Sequence, residues 1–262
     1  MSSWIAVSRT EHANKHWRPR SGYEFAAAEQ AVSVVVGELS KLLPHYAMGF
    51  LQAEDGKYQL IALLGLGSGQ NLYVTDNHQW LCSYVPAAMR AFPFALHNDS
   101  QGNRVFCVYD THLSDDDSLP RLVNADGQLD KLVAKSLDFI THCEQNRLVT
   151  TTACAALASA GVIEPWPVSI NLQHSQEPLQ INGLCRINEE ALGKLDADVF
   201  VGLRTSGALA VAYAQLFSIA QLEQLTQRAE YLVKEKLKMA PAEGLDTLFS
   251  GDDAGSLNFD SL

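Results

Sequence analysis

Short runs of β-branched, aromatic and aliphatic residues alternate with turn-forming residues through the first half of the chain. Such runs, bounded by Gly, Pro, Asn or Asp, are typical of short strands joined by hairpins. The predicted strands cover residues 32–36, 47–53, 58–64, 71–75, 80–84, 94–97 and 104–109. The last six predict one curled antiparallel sheet, and Asp55-Gly56 supplies the positive φ of its first hairpin turn. Short helices are predicted over residues 38–43 and from Pro86, which suits a helix start.

The apolar spacing changes to that of a helix at Leu129 and keeps this period up to Gly161, a suitable C-terminal residue. This long helix is either continuous or broken near Asn146. The remaining predicted elements are strands over residues 168–172 and 179–187, short helices capped by Asn188 and Asp196, an apolar segment over residues 208–217, and an amphipathic helix over residues 219–239 with Ser218 and Gln221 as its capping box. The pattern predicts an α+β protein: a curled antiparallel sheet of several short strands packed against long helices of the C-terminal half.

One α+β domain is expected over residues 21–240, with a charged segment at each end. Residues 1–20 contain four basic residues and one acid, and are predicted to be a polar basic arm. Residues 241–262 contain five acids and no base. The apolar residues placed among these acids as partner-binding candidates are Leu245, Leu248, Phe249, Leu257 and Phe259. Such a segment cannot build its own core, so it is either a disordered tail or a segment that docks in a groove.

The composition excludes several classes of protein. The net charge over 262 residues is −11 at pH 7, which argues against a nucleic-acid partner because phosphate contact needs a basic surface. No apolar segment of signal-peptide type and no bilayer-spanning apolar run are present, so direct membrane insertion is not expected. The five cysteines include no Cys-x-x-Cys pair and lie mostly in apolar contexts, which predicts free thiols in a cytoplasmic protein.

The glycine-rich segment after residue 64 resembles a phosphate loop only in part. Gly65 and Gly67 match the first two glycines of the dinucleotide fingerprint G-x-G-x-x-G, but its third glycine would fall at position 70, which is Gln. The neighbouring Gly69 is out of register, and no Walker lysine is present. A glycine-rich connection between strands is the better interpretation. No cofactor is predicted.

Two polar groups are candidates for chemistry. His12 and His16 are four residues apart and could share a metal ion on a helix, but no third ligand is in register, so no metal site is predicted. Asp110 and His112 would be catalytic if the fold brought a serine or cysteine close to them.

An aromatic and basic group covers the last predicted strand of the second hairpin and the short helix after it. This group predicts either a ligand pocket or part of an aromatic core, and it consists of Trp80, Tyr84, Arg90 and Phe92. The two interpretations differ in whether these side chains line an opening or fill one.

Residues 60–94 contain the most distinctive sequence of the chain. Their segments ALLGL, GQNLYV, WLCSYVPA and RAFPF resemble the A-L-L-G-L, E/Q-N-L-F/Y-V, W-x-x-x-Y-V-P-A and R-x-Y/F-P-F segments of the SapC family. The later segment SGALAVAYAQLFSIAQLEQL resembles a further family segment, and the resemblance covers about residues 9–231. The family has paired arginines before Pro-Phe where this chain has Arg90-Ala91, so a role resting on a double-arginine patch is not expected here.

The resemblance implies a bacterial, cytoplasmic accessory protein that binds a protein or peptide and is not itself an enzyme. SapC-like proteins are companions of tryptophan-halogenase-like proteins, cupin-like oxygenases and outer-membrane receptors, which implies a role in handling or modifying a protein or peptide. Two alternatives stay open: a hydrolase or modifying enzyme with a pocket near Asp110 and His112, and a cytoplasmic component of surface-layer assembly. The molecule bound is a partner protein, a peptide or a second copy of the chain, which would make a homo-oligomer.

Overall fold

The protein has an α+β fold in the computed structural model, which describes residues 3–67, 69–173 and 177–239. The predicted fold class is confirmed. The strands are β1 (Trp4–Ala6), β2 (His16–Trp17), β3 (Ala31–Ser33), β4 (Met48–Gln52), β5 (Tyr58–Leu63), β6 (Phe94–Asn98), β7 (Arg104–Tyr109), β8 (Leu113–Ser114), β9 (Ile163–Pro165), β10 (Val168–Ile170), β11 (Leu179–Ile181) and β12 (Leu184–Ile187). The α-helices are α1 (Leu39–Leu42), α2 (Ala87–Ala91), α3 (Lys131–Ser159), α4 (Glu189–Gly193), α5 (Ala197–Thr205), α6 (Ala208–Ser218) and α7 (Gln221–Met239).

The larger sheet has five antiparallel strands in the order β3-β5-β4-β12-β9. β4 and β5 form the predicted hairpin, with Phe50 opposite Leu60 and Gly56 in the turn at φ +78°. β12 from the C-terminal half pairs with β4, so this sheet joins the two halves of the chain. Phe50, Leu60 and their neighbours are buried and form the main core.

β1, β7 and β6 form a separate three-stranded sheet, so the prediction of a single curled sheet is wrong. Residues 71–84 form a single antiparallel β-bridge, between Val74 and Trp80, where two paired strands were predicted. Asn71 closes a local turn instead, because its side-chain oxygen accepts a hydrogen bond from the Tyr73 amide at 2.9 Å. This irregular segment separates β5 from β6.

The N-terminal segment packs on the smaller sheet and is not an arm. β1 pairs with β7, and β2 pairs with β8, with Trp17 opposite Leu113. Trp17 is buried, and its ring centroid lies 4.9 Å from that of Phe94 in an edge-to-face contact. Burial of one large apolar side chain stabilises a fold by roughly 1.5–3 kcal/mol.

The long helix α3 is continuous through Asn146 and connects the two cores. Asp130 caps its start by accepting a hydrogen bond from the Leu132 amide at 3.1 Å, and Gly161 follows its end at φ +68°. Its first half places Ile140 in the core of the smaller sheet, whereas its second half contributes to the main core. The helix therefore fixes the two sheets relative to each other.

Ser218 does not cap α7 as predicted. It is the buried last residue of α6, and its Oγ accepts a hydrogen bond from the Met48 amide at 2.9 Å and donates one to the Gln215 carbonyl at 2.7 Å. The hydroxyl therefore joins α6 to the edge of β4, a contact across 170 residues of sequence. Within the described ranges, no individual helix has both the length and the apolarity to cross a bilayer, although α5 and α6, bent by 90°, meet both criteria as a pair.

Candidate functional site

An open cleft of about 590 Å³ lies between the edge of the larger sheet and the smaller sheet, and we name it the interlayer cleft. β3, α2, β6 and α3 form its walls. The apolar side chains that line it include Trp4, Phe25, Val32, Met89, Phe92 and Tyr109. Its volume and apolar lining are typical of sites that bind small molecules or side chains, which occupy roughly 300–1,000 Å³.

Two phenylalanines form one wall of the interlayer cleft. The rings of Phe25 and Phe92 stack with their centroids 3.9 Å apart and their planes at 12°. Phe25 belongs to a 3₁₀ turn and Phe92 follows α2 directly. Trp4 and Tyr109 from the smaller sheet contact Phe92 at 6.2 and 5.4 Å between centroids. Phe92, one of the predicted pocket residues, therefore does line an opening.

A buried carboxylate, that of Glu38, is among the groups that line the cleft. The residue Glu38 is 4% exposed, and one of its oxygens accepts a hydrogen bond from the Val35 amide at 3.1 Å. The other oxygen accepts from the Tyr84 hydroxyl at 2.9 Å and from the Ala87 amide at 2.8 Å. A buried carboxylate is costly unless such donors satisfy it. These bonds fix the start of α2 against the larger sheet, so Glu38 is a positioning residue.

Tyr84 and Arg90 form a polar contact beside Glu38 and do not line the cleft. The Arg90 guanidinium donates a hydrogen bond to the Tyr84 hydroxyl at 3.0 Å and lies 4.9 Å from the Phe139 ring centroid. Burial, assisted by the charge of Glu38, raises the pKa of the Tyr84 phenol to about 12. The phenol is therefore neutral at pH 7 and donates to Glu38.

Trp80 fills an aromatic cluster behind the cleft. Its Nε1 donates a hydrogen bond to the Tyr46 hydroxyl at 2.8 Å. Its ring packs against Tyr23 at 5.1 Å and against Tyr73 at 6.1 Å between centroids. The structure thus divides the four predicted pocket residues, with Phe92 at the cleft, Tyr84 and Arg90 beside it, and Trp80 packed against the core.

The surroundings of three ionisable groups along the interlayer cleft shift their pKa values. Burial raises the pKa of the Cys143 thiol and that of the Glu29 carboxyl. Hydrogen bonds from Arg147, at 2.7 and 2.8 Å, together with one from Arg104, lower the pKa of Glu144 to about 2. At neutral pH the thiol is protonated and Glu144 is a paired carboxylate.

A second pocket of about 420 Å³ adjoins the interlayer cleft, and we name it the arginine pocket. It shares Phe25, Phe92 and Tyr109 with the cleft. Its other side chains include Arg18, Arg20, Glu24, Thr111 and His112. The guanidinium of Arg20 lies 4.5 Å from the Tyr23 ring centroid. The stacked phenylalanines therefore separate an apolar opening from a basic one.

The predicted catalytic candidates, Asp110 and His112, form hydrogen bonds with backbone groups in this structure. The Asp110 carboxylate accepts hydrogen bonds from the Ser3 amide at 2.9 Å and the Thr111 amide at 2.6 Å, which ties β1 to β7. His112 Nδ1 lies 2.5 Å from the Arg18 carbonyl oxygen, and the ring contacts Phe92 edge-on at 4.8 Å. The hydrogen bonds of these two described side chains include none to a serine hydroxyl or a cysteine thiol.

His12 and His16 do not lie on a common helix. His12 is in a turn, where its Nδ1 accepts a hydrogen bond from the Ser8 amide at 3.0 Å, and His16 belongs to β2. Both are buried. Among the residues of the three described ranges, no group of three His, Cys, Asp or Glu side chains is arranged to hold a metal ion.

The partner-binding candidates of the acidic C-terminal segment lie outside the described residues. They are Leu245, Leu248, Phe249, Leu257 and Phe259. Conversely, several residues of the two pockets were not predicted from the sequence. They are Trp4, Phe25, Glu38, Arg18 and Arg20. The available signal was an acid, Glu38, enclosed by the apolar runs VSVVVG and LSKLL, because a charge inside such a run needs a specific partner.

A family model described as SapC matches residues 7–225 of the 262-residue chain, which includes every named residue of the two pockets except Trp4. No curated protein and no solved structure matches the chain.

Proposed function

This chain belongs to the SapC family, and on that premise we propose that it is a non-catalytic accessory protein that binds an apolar peptide segment of a partner protein. The partner belongs to a bacterial cytoplasmic system that handles or modifies a protein or peptide. The interlayer cleft holds the peptide, and the chain acts by presenting it.

The observation that carries this proposal is the cleft itself. It is open to solvent and has a volume of about 590 Å³, and its aromatic side chains come from the smaller sheet, from the 3₁₀ turn of Phe25 and from Phe92 after α2. Aromatic walls bind apolar and aromatic side chains through large contact areas, and they need little rearrangement when their rings already pack on one another. Phe25 and Phe92 are fixed in this way by their stacking.

The state of three ionisable groups along the cleft, Glu38, Glu144 and Cys143, supports binding over turnover. Three donors hold the Glu38 carboxylate, and Arg147 and Arg104 hold that of Glu144. The Cys143 thiol is protonated at neutral pH because burial raises its pKa. A general base must be free to accept a proton and a nucleophilic thiol must be deprotonated, whereas hydrogen-bond donors occupy both carboxylates and the thiol carries its proton.

The experiment that tests the proposal fills the cleft. Ala88 is an exposed residue of α2 that lines the cleft, so Ala88→Trp places an indole in the opening. Ala197→Trp is the matched control, because Ala197 is an exposed helical alanine at the start of α5 and lines none of the described pockets. The tagged chain and both variants are purified from the native host, and co-purifying proteins are identified by mass spectrometry.

We expect a partner that co-purifies with the wild-type chain and with Ala197→Trp but is depleted about tenfold with Ala88→Trp, as loss of roughly 1.4 kcal/mol of binding free energy would give. Overlapping peptides of that partner are then titrated while the tryptophan fluorescence of the chain, to which Trp4 in the cleft wall contributes, is followed. Equal capture by both variants, or turnover of a substrate by the purified chain, would contradict the proposal.

A further inference from the structure

The arginine pocket contains two guanidinium groups, of which that of Arg18 interacts electrostatically with Asp116 and helps to lower the pKa of that carboxyl. Neither Arg18 nor Arg20 lies within ion-pair distance of a carboxylate among the described residues. Arg18 is exposed, and Arg20 is half-buried against Tyr23. The acid in the pocket, Glu24, has its carboxylate 3.9 Å from His78 outside it. The pocket is therefore suited to an acidic group from elsewhere, on a protein whose net charge is −11.

The two adjoining pockets together fit a ligand that carries an apolar group as well as an acidic one. Only the stacked rings of Phe25 and Phe92 and the ring of Tyr109 are common to both openings. A ligand that fills both must place an apolar group in the interlayer cleft and an acidic group a short distance away, beside Arg18 and Arg20. Neighbouring residues of a peptide, one aromatic and one acidic, meet this requirement, since consecutive Cα atoms are about 3.8 Å apart.

The chain itself contains such a sequence. Residues 241–262 have five acids and no base, and they include the adjacent pairs Leu245-Asp246 and Phe259-Asp260. Charge complementarity thus favours this segment for the arginine pocket, and its aromatic residues suit the cleft.

The length of the segment also allows it to reach. Arg228 of α7 lies 4.6 Å from the Tyr73 ring centroid, and three ring-to-ring steps, none longer than 6.1 Å, lead from Tyr73 to Phe25. From Arg228 to Met239 the helix rises about 17 Å. The 20 residues from Met239 to Phe259 span up to about 66 Å when extended, which exceeds the whole path even if α7 points away from the pocket.

We propose that residues 241–262 dock on their own domain, with an aromatic side chain in the interlayer cleft and aspartates in the arginine pocket. The docked segment then competes with the partner peptide, an inference that rests on the proposed function of the cleft. The sequence of the segment also indicates the chemistry that the partner peptide needs, which is an aromatic residue beside an acid. The docking itself requires only the two pockets and the segment.

The test uses the full chain with the photoreactive residue p-benzoyl-phenylalanine in place of Phe259. After irradiation, cross-linked products are separated by mass and mapped by mass spectrometry. The same probe in place of Phe217, which is 69% exposed on α6, is the control for non-specific reaction. Charge dependence is measured with Arg18→Glu/Arg20→Glu, with Arg121→Glu as an exposed control outside the pocket, and with the rescuing set Asp252→Lys/Asp253→Lys/Asp260→Lys.

We expect products of monomer mass in which position 259 is joined to the cleft, at Met89 or Trp4. Arg18→Glu/Arg20→Glu should reduce their yield about tenfold, the effect of roughly 1.4 kcal/mol, and Arg121→Glu should leave it unchanged. The combined reversal of both partners should restore the yield, which a misfolded variant would not do. Raising the salt concentration should lower the wild-type yield, because exposed charges are screened.

Products of dimer mass at the cleft would overturn docking on the same chain and assign the cleft to a second copy. Products confined to other surfaces, or a yield that ignores every charge reversal, would overturn the proposal altogether. These outcomes are independent of partner capture. If Ala88→Trp abolishes partner capture while position 259 never reaches the cleft, the proposed function stands and the docking fails. If position 259 cross-links to the cleft while Ala88→Trp leaves partner capture unchanged, the docking stands and the proposed function fails.

Discussion

The rings of Phe25 and Phe92, 67 positions apart in the sequence, stack at 3.9 Å between centroids and form the wall common to the interlayer cleft and the arginine pocket. Phe25 is anchored by a 3₁₀ turn beside the larger sheet, whereas Phe92 links α2 to the smaller sheet. The pair therefore joins the two layers at the point where both pockets open.

We expect Phe25 and Phe92 to be energetically coupled. In a double-mutant cycle with Phe25→Ala and Phe92→Ala, the coupling in the free energy of unfolding should be about 1 kcal/mol, because stacked aromatic rings contribute this beyond their buried area. Urea unfolding of the four proteins measures it. The exposed pair Tyr213 and Phe217, whose rings are 6.1 Å apart, should couple by no more than about 0.5 kcal/mol. Simple additivity at Phe25 and Phe92 would contradict the prediction.

Glu38→Gln should destabilise the fold by about 1–3 kcal/mol, since an amide offers one acceptor oxygen where the carboxylate meets three donors. The denaturation midpoint in urea gives the change. Glu190→Gln removes a carboxylate from an exposed pair with Lys194 and should cost no more than about 0.5 kcal/mol. If the two substitutions have equal effects, the carboxylate of Glu38 does not fix α2.

The contribution of Glu144 to stability should disappear in acid. Its folded pKa of about 2 lies below the ordinary value of 4.5, chiefly because Arg147 donates hydrogen bonds to it, so the ionised form stabilises the folded state. The difference in unfolding free energy between the wild type and Glu144→Gln should be constant above about pH 5, decline as the pH falls and vanish near pH 2. Thermal unfolding across this range measures it, and a difference that grows in acid would contradict the assigned direction.

Gly65→Ala should destabilise the protein by about 1–3 kcal/mol, because a Cβ at this position would lie 2.5 Å from the Gln70 backbone oxygen. Gly202, inside α5, is the matched control, since nothing lies within 4 Å of a Cβ built there. Gly202→Ala should stabilise by about 0.5–1 kcal/mol through helix propensity. Calorimetric melting of both variants decides the point; similar melting temperatures would mean that the segment after β5 can move to accept a side chain.

Features that depend on a few neighbouring residues were predictable from the sequence. The β4–β5 hairpin follows from two apolar runs around Asp55-Gly56, and α3 follows from its helical period between Asp130 and Gly161. Asn188 caps α4 as predicted, through a hydrogen bond from the Ala191 amide at 2.8 Å. In each case the groups that decide the conformation lie within one turn or one strand pair of each other.

What the sequence by itself determined is thus the α+β class, the main hairpin, the long helix and the family. The tertiary structure alone decided that the strands form two sheets, that Trp17 is buried, and that Ser218 bonds to Met48 instead of capping α7. It also decided that Glu38 meets Tyr84 and Ala87, 46 and 49 residues away, and that Phe25 meets Phe92 between two pockets. The physical reason is that local patterns fix which face of an element is apolar, whereas the neighbour that covers that face is selected by packing over the whole chain.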